Sequence, residues 1–215
     1  MELKSINMIS PISSLLTLDH IIKTTPYEQM AYVHLLISLL IFITFKSSIS
    51  VVPDPPTQNL INRICKQTID FKFCNQTITS QLIRRQTSIK TIAKLTAAKA
   101  WINAIQTLDN IEDSLLPKAK DKRDKAEFDA CRKAYKLVDA HLDNALKYLY
   151  LRDYRFMRAY QALALVNISM CRTSFFHPTP MVYANWNMKM LTDIAIYAGK
   201  ILSPPPPLRK KSKSP

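Results

Sequence analysis

The chain has 215 residues and a formal net charge of +14, with 30 Lys and Arg against 16 Asp and Glu, and its only glycine is Gly199. One glycine excludes a phosphate-cradling loop, a dinucleotide fingerprint and a nucleophile elbow, all of which place glycines at fixed spacings. Rich in Ala, Leu, Ile and Lys and poor in turn formers, the chain reads as mainly helical, and its basic excess suits polyanionic surroundings.

The first apolar element runs from Leu35 to Phe45, inside MAYVHLLISLLIFITFKSSIS. It has the length of a signal-peptide core and is short for a bilayer span of about 20 residues. Ser48 and Ser50 offer small residues for cleavage after Ser50, so residues 30–50 read as a signal peptide, with an uncleaved anchor as the alternative. Residues 1–29 carry no comparable signal and read as an upstream extension, with Met30 as a second candidate start. Residues 1–50 hold three basic residues (Lys4, Lys23, Lys46) and three acidic ones (Glu2, Asp19, Glu28), so their removal leaves the charge at +14. A secretory leader argues against nucleic acid as the partner of that charge and favours acidic polysaccharide.

Residues 51–56, with Pro53, Pro55 and Pro56, read as an extended lead-in. Thr57 then caps a short helix to about Lys66, the chain turns at Thr68 to Phe71, and a second short helix runs from Phe73 to Ile83. A long helix over about Thr87 to Leu115 has apolar residues at Ile89, Ile92, Trp101, Ile105, Leu108 and Ile111, with Pro117 at or just beyond its end. The next helix has the cleanest pattern: Phe128, Cys131, Tyr135, Val138, Leu142, Ala145 and Leu149 alternate steps of three and four, the seam of a packed bundle. Its opposite face carries Asp129, Lys133, Lys136, Asp143 and Lys147. Asp153 starts a third long helix to about Phe175, His177-Pro178-Thr179-Pro180 breaks it, and a fourth spans about Val182 to Leu202, with Trp186, Met190, Ile194 and Ile201 on one side. Residues 204–215, a proline run followed by a basic end, form an unfolded tail. Short links favour antiparallel packing, so the fold class is all-α: an up-down four-helix bundle preceded by a short helical hairpin.

Cys65, Cys74, Cys131 and Cys171 all follow the leader and would meet an oxidising compartment. Four cysteines allow three connectivities. Local pairing, Cys65 with Cys74 and Cys131 with Cys171, is the economical one. It closes loops worth about 3 and about 4 kcal/mol in the chain-entropy picture. The alternative is four buried thiols in a cytosolic helical protein. Two sequons, Asn75-Gln76-Thr77 and Asn167-Ile168-Ser169, fit the secretory route. Asn75 follows a cysteine in an expected turn, whereas Asn167 lies mid-helix, where a glycan requires an outward-facing position.

Nothing in the pattern marks a catalytic centre. His141 is flanked by Ala140 and Leu142, His177 precedes a proline with no acidic neighbour in sequence, and no histidine or cysteine pair has metal-ligand spacing. Asp109, Glu112 and Asp113 read as a solvated helix end.

The stretch Ile61-xxx-Cys65-xx-Thr68-xxxx-Phe73-Cys74 resembles the opening of plant invertase/pectin methylesterase inhibitors. Ala130-Cys131-xxx-Tyr135-xxx-Asp139-xx-Leu142-xx-Ala145 is similar to that family's third-cysteine helix. Ala164-Leu165-Val166-Asn167-xxx-Cys171-xxx-Phe175 is similar to its fourth-cysteine segment, and Asn185 to Leu202 to its closing helix. The likeness covers about residues 57–203. Ala130 stands where the family usually has Asp, Met170 where it has Thr, and Arg172-Thr173-Ser174 where a partly acidic stretch is common. The resemblance implies the same bundle with disulfides 65–74 and 131–171 and no catalysis; neither a cofactor nor a metal is expected from the residue spacings. It further implies docking over the substrate cleft of a secreted enzyme, a pectin methylesterase or an acid invertase, in the apoplast and cell wall or in the vacuole. The contacts are expected on the exposed faces of the second and third long helices, with Asp129, Lys133, Lys136, Asp143 and Lys147 named. Acidic pectin is an expected partner of the basic surface and tail. A wall-associated polyanion binder without inhibitory activity is the alternative.

Overall fold

Capping chemistry decides where five of the six helices begin in the computed structural model, which describes residues 51–202. The leader, its cleavage position and the basic tail therefore lie outside the described residues. Helix α1 (Pro55–Cys65) is capped by Asp54, whose side chain accepts from the Thr57 N–H at 2.9 Å. Asp70 caps α2 (Phe71–Thr79), Ser88 caps α3 (Ile89–Asn110), Asp121 caps α4 (Lys122–Tyr150) and Asp153 caps α5 (Tyr154–Thr173). Helix α6 is Met181–Leu202. Each cap answers N–H groups of a first turn that have no partner within the helix.

Three expected boundaries move for this reason. The lead-in ends at Asp54, because Pro55 and Pro56 sit in the first turn, where a missing N–H costs nothing. Thr57 is not the cap but a buried residue: the Thr87 N–H donates to its Oγ1 at 2.9 Å, tying α1 to the α2–α3 link. Helix α2 starts at Phe71, two residues early, under the Asp70 cap, and ends at Thr79, four residues before the expected Ile83. Beyond Asn110, α3 continues through a π turn at Ile111–Leu115 and one α turn at Leu116–Lys118. The wider turn puts Pro117 in the opening turn of a new segment, where the helix tolerates it.

Helices α3 to α6 form an up-down bundle in which α4 packs on α3 and α5, and α6 on α5 and α3. There is no strand among the described residues. All seven seam residues of α4 are buried. The core face of α3 differs from the expected line. It is made by Ile92, Ala93, Ala97, Ala100, Ala104 and Ile111, while Trp101 and Leu108 pack at the flank. Small side chains bring the helix axes close, and the Trp101 Nε1–H then reaches Asp139 Oδ1 on α4 at 2.7 Å. Deep in the bundle the Tyr135 hydroxyl donates to Asn185 Oδ1 on α6 at 2.9 Å, and burial pushes the phenol pKa above its ordinary value.

Two buried clusters stack along the bundle. At one pole the hairpin residues Ile61, Ile64 and Ile78 meet Ile92, Leu149, Met157 and Ile194. At the other, Phe128, Tyr135, Ile168, Met181 and Leu191 close the core around Cys131 and Cys171. Each pole holds one disulfide: Cys65–Cys74, with a Cα separation of 5.4 Å, and Cys131–Cys171, at 4.3 Å. Of the three connectivities open in sequence, the local one is formed.

Candidate functional site

The five charged positions of α4 lie on its outer face, but each already has a partner. Asp129 lies 2.9 Å from Lys133 Nζ and also pairs with Arg132. The Lys133 ammonium, with Arg132 beside it, holds the Asp129 carboxyl below the usual carboxylate range. Lys147 pairs with Asp143 at 2.6 Å, and Lys136 reaches across to Glu112 in the π turn at 3.0 Å. Glu112 thus pairs across helices at the surface, where the sequence suggested only a solvated end.

Beside this stripe, along the groove between α4 and α5, runs a row of rings. His141 of α4 lies 6.0 Å from Tyr160 of α5, while Tyr148 stacks on Tyr160 at 5.4 Å and on Phe156 at 5.2 Å. The row fixes which side of α5 faces α4. Phe156, Leu163 and Met170, spaced seven apart, continue along that side, with Val166 next to them. They are 49, 45, 54 and 56 % exposed, a contiguous apolar stripe on a helix surface otherwise open to solvent. Leu137, also exposed, lies one turn before His141 on the α4 side of the groove. A charged stripe, a ring-lined groove and an apolar stripe thus form one face, the composition expected of a protein-docking surface. Sequence reasoning pointed to the exposed faces of both helices but named residues only on α4. The signal for the α5 residues was present in the steps of seven, three and four through Phe156, Leu163, Val166 and Met170.

The two sequon asparagines sit in different surroundings. Asn75 lies within α2, not in a turn, and is half-buried. Asn167 is 5 % exposed, and its Nδ2 donates to the Leu163 carbonyl at 2.9 Å. The outward-facing position that a glycan at Asn167 requires is therefore not offered by the folded helix. His177 was read without an acidic partner, yet Asp124 and Glu127 flank its ring at 3.5 and 3.4 Å. Fifty residues of sequence separate them, so no local pattern could reveal the cluster.

A family model for plant invertase/pectin methylesterase inhibitors matches residues 59–197. The chain belongs to this family. Its fold is also that of two crystal structures of pectin methylesterase inhibitors from Arabidopsis, one of them a mutant form. The mutant form is 21 % identical, with a TM-score of 0.60 over 66 % of this chain and 95 % of its own. The other is 22 % identical, with a TM-score of 0.51 over 67 % of this chain and 96 % of its own. No curated protein sequence matches the chain significantly. No helix among the described residues is long and apolar enough to cross a membrane.

The family model is one of inhibitors, and in this chain one of the two disulfides braces the α4–α5 face. Helices α4 and α5 are joined by Cys131–Cys171 at one end and by the tight link at Leu151–Asp153 at the other. A face fixed at both ends loses little conformational freedom on docking.

Proposed function

We propose that this protein is a secreted, non-catalytic inhibitor of a plant pectin methylesterase, and that it covers the enzyme's substrate cleft with the α4–α5 face. The observation that carries the reading is the exposed apolar stripe Phe156, Leu163, Val166 and Met170 beside the charged stripe of α4, on a bundle of the inhibitor family. Apolar side chains left open on a disulfide-braced helix supply the desolvated centre of an interface, and the paired charges supply its rim.

The family name covers two kinds of target. Pectin methylesterase is preferred over acid invertase because a protein of net charge +14 concentrates in a matrix of acidic pectin, where the first enzyme works. The same charge supports a second reading, a wall-bound polyanion binder without inhibitory contacts. Localisation in the apoplast follows from the leader at residues 30–50, with the vacuole as the alternative address.

The test titrates the oxidised protein at mildly acidic pH against a pectin methylesterase and an acid invertase in parallel. Stoichiometric loss of the esterase activity alone is the expected result. Loss of the invertase activity alone would transfer the reading to that target. If both activities survive while pectin binding collapses as salt rises towards several hundred millimolar, the polyanion reading replaces inhibition.

A further inference from the structure

At the pole away from the hairpin, the link between α5 and α6 folds back over the first turns of α4. Phe175 packs edge-on against Phe128 at 5.3 Å, and this contact, with Pro178 and Pro180 on the far side, sets His177 above Asp124 and Glu127. The two carboxylates are three residues apart on one helix and so share a face. Glu127 is 6 % exposed, yet neither of its oxygens accepts a hydrogen bond; Arg123, largely in solvent, comes no nearer than 3.8 Å. Four of the six buried side-chain polar atoms found without a hydrogen bond among the described residues belong to this cluster: Asp124 Oδ1, both Glu127 oxygens and His177 Nδ1. A buried carboxylate without a partner carries a large desolvation cost. The imidazole touches both carboxylates but aligns an N–H with neither.

We infer that Asp124, Glu127 and His177 form a binding site for a divalent transition-metal cation of the zinc class, with water as the remaining ligand. One ligand atom from each residue lies within 4.8 Å of the others. The separation of His177 Nδ1 from Glu127 Oε2, 3.4 Å, matches an edge of a tetrahedron with ligand bonds of about 2.0–2.1 Å, whereas Asp124 Oδ1 faces the other ring nitrogen, Nε2, at 3.5 Å and has to close in for the ion to take all three ligands. One nitrogen and two carboxylate oxygens suit zinc, whereas calcium and magnesium prefer oxygen throughout. Two carboxylates balance the charge of the cation. Bound there, it ties the α5–α6 link to α4 as a third cross-link, next to Cys131–Cys171. This inference does not depend on which enzyme is inhibited, or whether any is.

The test uses the full oxidised chain, stripped with a chelator and titrated with zinc chloride in a calorimeter. Thermal unfolding is followed with and without the metal, and cobalt(II) serves as a visible probe of four-coordinate geometry. One saturable site, a higher Tm with zinc and tetrahedral cobalt bands are expected. His177→Gln, which removes a ligand, should weaken binding by more than about tenfold, and Glu127→Gln should do the same, while His141→Gln leaves it unchanged. Glu127 is buried and replacing it puts the fold at risk, so the half-exposed His177 carries the decision. Absence of saturable binding at about millimolar zinc, or wild-type binding by His177→Gln, overturns the site.

Discussion

Arg152 is the one non-glycine residue among those described with a left-handed backbone, at φ 61°. It follows the last turn of α4, where the Arg152 N–H donates to the Leu149 carbonyl at 3.2 Å and the Asp153 N–H to the Tyr148 carbonyl at 2.9 Å. This pair of bonds closes a helix end most easily when glycine occupies the left-handed position. Arg152→Gly should therefore stabilise the protein by about 0.5–1 kcal/mol after the extra freedom of glycine in the unfolded chain is deducted. The corresponding rise in Tm is about 1–4 °C, and an unchanged or lower Tm would show that the arginine carries no strain there. The chain spends its one glycine elsewhere: a Cβ on Gly199 would run into the terminal methyl of Met157, so Gly199 serves close packing of α6 on α5. Its conformational freedom is not what matters.

Among the elements, α4 and α5 carry the functional prediction. Lys133→Glu with Lys136→Glu should weaken inhibition while moving Tm little, because the Asp129 and Glu112 pairs that it breaks are exposed ones worth little. Leu163→Asp, on α5, should cost more, about tenfold or beyond if the residue lies at the interface centre. Residual-activity curves for the target enzyme decide, and undiminished inhibition by both variants would remove this face from consideration. Helices differed in how plainly they could be read. The core side of α4 was legible because its buried residues are large and apolar and recur at seam spacing. The core side of α3 was not, since Ala93, Ala97, Ala100 and Ala104 are equally at home on an exposed surface, and Ile105 and Leu108 drew the eye instead. In α5 both faces are apolar, so periodicity alone could not separate core from docking stripe. The Asp124, Glu127 and His177 cluster was invisible because packing of one link, not sequence spacing, brings it together.

For the whole molecule, the disulfides cross-link opposite poles and act on loops of different length, 9 and 40 residues apart in sequence. In the chain-entropy picture, replacing Cys131 and Cys171 by alanine should cost about 4 kcal/mol, and replacing Cys65 and Cys74 about 3. Urea unfolding of the two double variants checks the order, and a greater loss for the shorter loop would point to hairpin docking as the larger contribution.

Four long helices in alternation bring the chain back to the pole from which it started. Val51 and Leu202 both pack against the cluster beneath the hairpin, whereas the α3–α4 and α5–α6 links turn at the opposite pole. Entry and exit of the folded part therefore share one end. A fusion or a surface tether attached on either side would leave the far pole and the length of the α4–α5 groove unobstructed. A linker from Leu202 back to Val51, with new termini opened at Lys120–Asp121, would give a circular permutant that keeps both disulfides within intact helices.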